Sequence, residues 1–148
     1  MGKWFLENWL TILNAVGIIG GLFFTAHSLR HETKTRRIGN LLTLIQNHRE
    51  LWAELFRYQA LQRVLDANAD LTKHPITPDE TIFVNMTIQH LSGAYQAMKN
   101  GLVIKRDGLR RDISGFFSLP IPKAVWEKTK VLQNDDFAEF VEQCRNWK

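Results

Sequence analysis

Hydrophobic positions are unevenly spaced along this chain. Residues 8–26 form a run of 19 with no charged side chain, bounded by Glu7 and His27. As an α-helix, at ~1.5 Å per residue, the run would span roughly 28 Å. A bilayer hydrocarbon core is about 30 Å thick, so the run predicts one transmembrane helix, with residues 1–30 as anchor and flanks. Trp4 and Trp9 stand at its amino-terminal end, where amphipathic rings favour a membrane interface.

From Arg30 to about Ala67 the spacing becomes that of an amphipathic helix, with no proline and only Gly39 weakening it. Ile38, Leu41, Ile45, Trp52, Leu55 and Phe56 share one sector, and Leu44 and Leu51 border it. Glu50, Ala53 and Arg57 lie opposite. Turn residues from Asp66 to Pro78 mark a loop. It ends in Thr77-Pro78-Asp79-Glu80, a capping box with proline at the first helical position. The helix opened there carries a wide apolar arc from Phe83 to Met98 and should stop at Asn100-Gly101. Three short helices follow. Leu109, Ile113, Phe116 and Phe117 mark the first. Val125, Trp126, Thr129 and Leu132 come after Pro120-Ile121-Pro122. Phe137, Phe140, Val141, Cys144 and Trp147 form a stripe behind Asn134-Asp135. Leu102-Val103-Ile104 could form a short strand, but nothing pairs with it. The expected fold is all-α: one N-terminal transmembrane helix, then a bundle of about four to five helices over residues 31–148.

Charge adds an orientation. Arg30, Lys34, Arg36 and Arg37 follow the apolar run against Glu32, whereas Lys3 faces Glu7 before it. Excess positive charge marks the cytoplasmic side. The sequence therefore predicts an inner-membrane, single-pass protein with its amino terminus outside and its helical domain cytoplasmic. The same four basic residues are expected to contact lipid headgroups. A cleavable signal peptide and a buried core helix are the competing readings. The basic block opposes the first and the length of the run the second. Net charge over the 148 residues is +4, a weak argument for anionic partners. A single cysteine, Cys144, excludes an intrachain disulfide.

Candidate chemistry is sparse. Asn14, Gly17, Gly21 and Thr25 fall on one face of the apolar run. Small residues and an amide there suit helix self-association, hence a homodimer through the transmembrane helix. His27 and His31 are four apart but lack a third metal ligand. His48 and His90 fall on the apolar faces of their helices and Gln59 is a third inward polar group, so the two histidines could meet. Glu-x-x-His, His-Glu-x-x-His, Cys-x-x-Cys and phosphate-cradling glycine loops are all missing. No arginine stands four to six residues before a histidine, as it does in small helical toxin ribonucleases. Cys144 reads as a core residue, and Ser114 and Ser118 lack a nearby base. No cofactor or metal is expected. A second basic cluster comprises Lys99, Lys105, Arg106, Arg110 and Arg111. It could meet headgroups, nucleic acid, an acidic partner or the acidic last helix with Asp135, Asp136, Glu139 and Glu142. The aromatic residues look like core and interface packing rather than a base-stacking surface, so nucleic acid is not an expected partner.

The layout resembles bacterial single-pass membrane proteins that carry a helical domain of unknown function. The resemblance is carried by the N-terminal run, Thr77-Pro78-Asp79-Glu80, Phe83, His90, Tyr95, Gly101, Asp112, Phe116-Phe117, Trp126 and Phe137-x-x-Phe140. It implies that fold and topology and no activity. The expected role is a membrane-anchored, non-enzymatic interaction or sensor protein, self-associating or binding a cytoplasmic protein. The alternatives are a tethered effector, enzyme or toxin-like, using groups around His48 and His90, and a membrane-permeabilising oligomer.

Overall fold

The computed structural model describes the backbone of residues 2–102 and 104–146. It describes their side chains apart from residues 2–8, 10–13, 15, 16, 31, 33 and 34. Five α-helices and two 3-10 segments make up the chain, and no strand occurs among the described residues. The all-α expectation holds. Backbone contacts divide the chain into two units, residues 1–39 and 40–148. Helix α1 (Gly2–Arg57) begins in the first and ends in the second.

The transmembrane expectation is corrected. Among the described residues, no helix is long and apolar enough to cross a membrane. Within α1, Gly17, Gly20, Gly21, Thr25, His27 and Ser28 lower the hydropathy. The inner-membrane, single-pass placement with an outside amino terminus was built on that span and falls with it.

The second unit is built around aromatic side chains. Leu61 and Val64 both turn inward from a 3-10 segment, Gln59–Leu65, because residues three apart eclipse there. Helix α2 (Pro78–Lys99) opens on the expected capping box: Thr77 Oγ1 accepts from Glu80 N at 3.2 Å, and Glu80 Oε2 accepts from Thr77 N at 2.8 Å. It closes at Gly101, whose φ of 77° is the left-handed stop. There Leu102 N donates to Ala97 O and Gly101 N to Met98 O. Leu119, extended, both ends α3 (Arg106–Ser118) and precedes α4 (Pro120–Thr129), because Pro120 cannot continue a helix. Asn134 caps α5 (Asp135–Arg145) by accepting from Asp136 N.

Trp126 is fully buried between Phe117 at 5.0 Å and Phe137 at 6.0 Å, and its Nε1 donates to Glu142 Oε1 at 2.8 Å. Tyr95 stacks on Phe140 at 4.7 Å. The backbones approach most closely where α3 meets α5 and α4. The last turns of α1 join this core through buried Leu55, with Leu44 and Leu51 at its margin.

One polar group is buried among these side chains. Glu80 is 2% exposed, and Arg63 from the 3-10 segment forks onto it: Nε to Oε1 at 2.7 Å and Nη2 to Oε2 at 2.8 Å. The same guanidinium donates to His74 O and Pro75 O, which closes the loop before α2. That hydrogen bond from Arg63 holds the Glu80 carboxyl below the usual carboxylate range, against burial.

Two substitutions separate the cap from the fork. Thr77→Ala removes only the cap and should cost about 1 kcal/mol. Glu80→Ala keeps the bond from the residue 80 N–H to Thr77 Oγ1, loses the reciprocal bond from Thr77 N and strips Arg63 of its carboxylate, so its denaturant midpoint should fall clearly further. Equal shifts in urea titrations would show that the fork contributes nothing beyond capping.

Candidate functional site

The last turns of α1 are too apolar for the domain to cover. At 100° per residue, Leu44, His48, Leu51 and Leu55 make one face; the leucines turn to the core, and His48, itself exposed, meets His90 of α2. Leu42, Ile45, Trp52 and Phe56 lie beside them in a sector about 80° wide and stay open. Their exposures are 61, 49, 42 and 71%. The periodicity placed Ile45, Trp52, Leu55 and Phe56 in one inward set, and only Leu55 is buried. Trp52 stacks on Phe56 at 6.0 Å, so the exposed rings form one surface.

His48 and His90 come together where α1 meets α2. His48 Nδ1 lies 3.2 Å from His90 Nε2, and Trp52 Nε1 donates to His48 Nε2 at 2.9 Å. These contacts fix the tautomers by elimination. His48 Nε2 accepts, so the neutral ring carries its proton on Nδ1 and donates it to His90 Nε2. His90 Nε2 then accepts, so its own proton sits on Nδ1. His90 Nδ1 is buried without a hydrogen-bond partner. Burial first, and the His48 ring second, push the His90 imidazole below its ordinary pKa.

Cavities flank the pair. One of about 70 Å³, lined by Leu51, Leu55, Phe83, Thr87 and Phe116 among others, is far smaller than the ~300 Å³ typical of a small-molecule pocket. The second is an open groove of about 350 Å³, lined by Leu41, Ile45, Leu91, Ile104 and Leu109. Arg49, Lys105 and Asp112 also line it, so two cations face one carboxylate. Neither Arg49 nor Lys105 has an ion-pair partner among the described residues.

The other predicted positions are accounted for separately. Gln59, expected to point inward, is exposed, because the chain leaves α1 at Tyr58 and enters a 3-10 turn that buries Leu61 and Val64 instead. Asn14, Gly17, Gly21 and Thr25 are exposed, and the Thr25 hydroxyl donates to Gly21 O at 2.8 Å. Arg30, Arg36 and Arg37 are exposed, with Arg36 paired to Glu32 at 2.6 Å. The side chains of Lys34 and His31 lie outside the described ones. No group of three or more His, Cys, Asp or Glu side chains converges among the described residues. Within the second basic cluster Lys99 pairs with Asp136 of α5, and Arg106 lies over the Phe140 ring. Ser118 donates to Gly115 O of its own helix. Compared with known proteins, the chain matches no family model, no curated protein and no solved structure.

Sequence reasoning missed Arg49 and Lys105 as parts of one groove. They are 56 positions apart, and neither periodicity nor motif connects them.

The His90 geometry sets the sign of a pH effect. The unfolded chain takes up a proton on this residue near pH ~6.5, whereas the folded ring resists it. Stability is therefore full above that pH and declines as pH falls through it toward the lower folded value. Urea midpoints at about pH 7.5 and about pH 5.5 should differ for the wild type and differ less for His90→Gln, which keeps an acceptor for His48. A wild-type midpoint unchanged between the two would remove His90 from the acid limb. Burial raises the Cys144 pKa, with Arg110 and Arg106 partly opposing. Its thiol should react with a disulfide reagent only as fast as the domain opens.

Proposed function

We propose that this chain is a non-enzymatic interaction protein whose helical domain docks an acidic amphipathic helix on the last turns of α1. The observation that carries the reading is the open stripe of Leu42, Ile45, Trp52 and Phe56, continuous at Ile45 with the groove holding Arg49 and Lys105. Helix recognition of this kind reads apolar anchors at i, i+3 or i+4, and i+7, and lays them into a groove. Trp and Arg are also the side chains that most often dominate a binding interface.

Charge selects between a second copy and a different partner. Arg49 lies midway along the stripe. An antiparallel α1–α1 contact between two copies would set Leu42 against Phe56, Ile45 against Trp52, and Arg49 against Arg49. That central pair repels. A helix presenting a carboxylate there, with apolar residues one turn to each side, satisfies Arg49 and Lys105 together.

A photocrosslinking phenylalanine analogue at Phe56 tests the proposal in cells. The expected product maps by mass spectrometry to a helical segment with that apolar and acidic pattern. Trp52→Ala should weaken the contact about thirtyfold, matching a hot spot of ~2 kcal/mol. Arg49→Glu should weaken it further than Arg49→Ala. Crosslinks confined to a second copy of the chain, or to segments without an acid, would overturn the reading.

A further inference from the structure

We infer that the His48–His90 pair is a proton-operated latch on the Trp52 indole, and so regulates the docking face proposed above. The inference rests on that reading for its biological use, but the latch itself stands on geometry.

The hydrogen bonds form a chain with one direction. Trp52 Nε1–H donates to His48 Nε2, and His48 Nδ1–H donates to His90 Nε2. Each histidine has one acceptor nitrogen, and both are used. A proton added to His48 must go to Nε2, where it confronts the indole N–H. A proton added to His90 must go to Nε2, where it confronts His48 Nδ1–H. His48 can relieve that second clash only by moving its proton to Nε2, which again confronts the indole. One proton on either ring therefore removes the acceptor of Trp52. The indole then loses the bond that fixes it in the exposed stripe, together with its edge contact of 6.1 Å to the His48 ring.

The carboxylates near the pair are Asp112, which shares the groove lining with both rings, and Glu50 and Glu54, which share a cavity lining with His90; none makes a hydrogen bond or ion pair with either ring. Charged groups on α1 that line the adjoining cavities are Arg49, Glu50 and Glu54. Glu50 accepts from Gln46, and Glu54 pairs with Arg57. The α3 end contributes Lys105 and Asp112 to the groove. From α2 the linings hold only uncharged partners such as Thr87, Gln89 and Leu91. The 3-10 segment contributes Leu65. Burial and the neighbouring ring already disfavour charge on His90. The latch is therefore closed while both rings are neutral, and burial holds His90 below the ordinary histidine range, so its opening through that ring is an acid event.

The test follows the Trp52 indole N–H by two-dimensional NMR from about pH 7.5 to about pH 5.5 in the full chain. Trp52→Phe assigns the resonance. The expected result is one transition of the indole signal, coincident with the ring signals of His90. In the double variant His48→Gln/His90→Gln, amides replace the rings as donor and acceptor but cannot take the proton, and the transition should vanish. A synthetic amphipathic helix, with leucines on one face and a central glutamate, is the binding probe. Its affinity should fall about tenfold across the same pH range, the worth of one lost hydrogen bond in the anchor. An indole signal that stays flat while the histidines titrate overturns the latch, and the wild-type titration gives this answer even if the double variant fails to fold. Equal peptide affinity at both pH values overturns the regulation. An intact indole transition with no peptide binding at any pH overturns the docking reading and leaves the latch standing.

Discussion

The fork between Arg63 and Glu80 fixes where α2 starts relative to the end of α1. A carboxylate 2% exposed is expensive to bury unless its lone pairs are filled, and here they are filled by one guanidinium and one backbone N–H. The guanidinium comes from the 3-10 segment, and the N–H from the cap of α2. The remaining donors of Arg63 reach His74 O and Pro75 O. One ion pair thus ties the segment after α1, the loop and the start of α2 to a single point. The start of α2 fixes its register. His90 lies ten residues after Glu80, about 15 Å along the helix, and its height against His48 is set from there.

Much of this was legible in the sequence because local rules decide it. Thr77-Pro78-Asp79-Glu80 requires only neighbours within one turn, and Asn100-Gly101 needs only a residue free to adopt φ of 77°. The stripes of α3, α4 and α5 were equally readable, because amphipathic spacing survives wherever a helix has one buried side. The Arg63–Glu80 pair was not readable. Glu80 already had a local explanation as a capping residue, and nothing in a helical period points 17 residues back to an arginine. The run at residues 8–26 shows the opposite failure. Absence of charge suggested a span, but the stretch is broken by glycines and polar side chains, and no helix among the described residues is long and apolar enough to cross a membrane.

Helix α1 shows where periodicity stops being informative. A hydrophobic sector says which side chains avoid water, and not how many of them the domain can cover. Leu55 is covered; Trp52 and Phe56, three and one positions away, are not. The apolar arc of these turns is wider than one neighbouring helix can bury. The residues at its edge decide whether the surplus is left as a surface. Here the edge residue is Trp52, which turns its indole N–H back to His48 and its ring outward onto Phe56.

That double attachment explains why the pairing of histidine with histidine matters. A carboxylate in place of His90 would welcome a proton on His48, and acid would strengthen the contact. A carbonyl in its place would hold the same His48 tautomer but bring no second ring to take up a proton. Two imidazoles in series with an indole behave differently. They hold exactly as many protons as there are acceptors, and His90 Nδ1 has no partner to which the excess could be passed. Adding a proton can only break a bond. The arrangement converts a small change in proton concentration into the loss of one specific restraint, and that restraint is on the most interactive side chain of the exposed stripe. The link from α1 periodicity to a pH-dependent surface therefore runs through four nitrogens, two donating and two accepting.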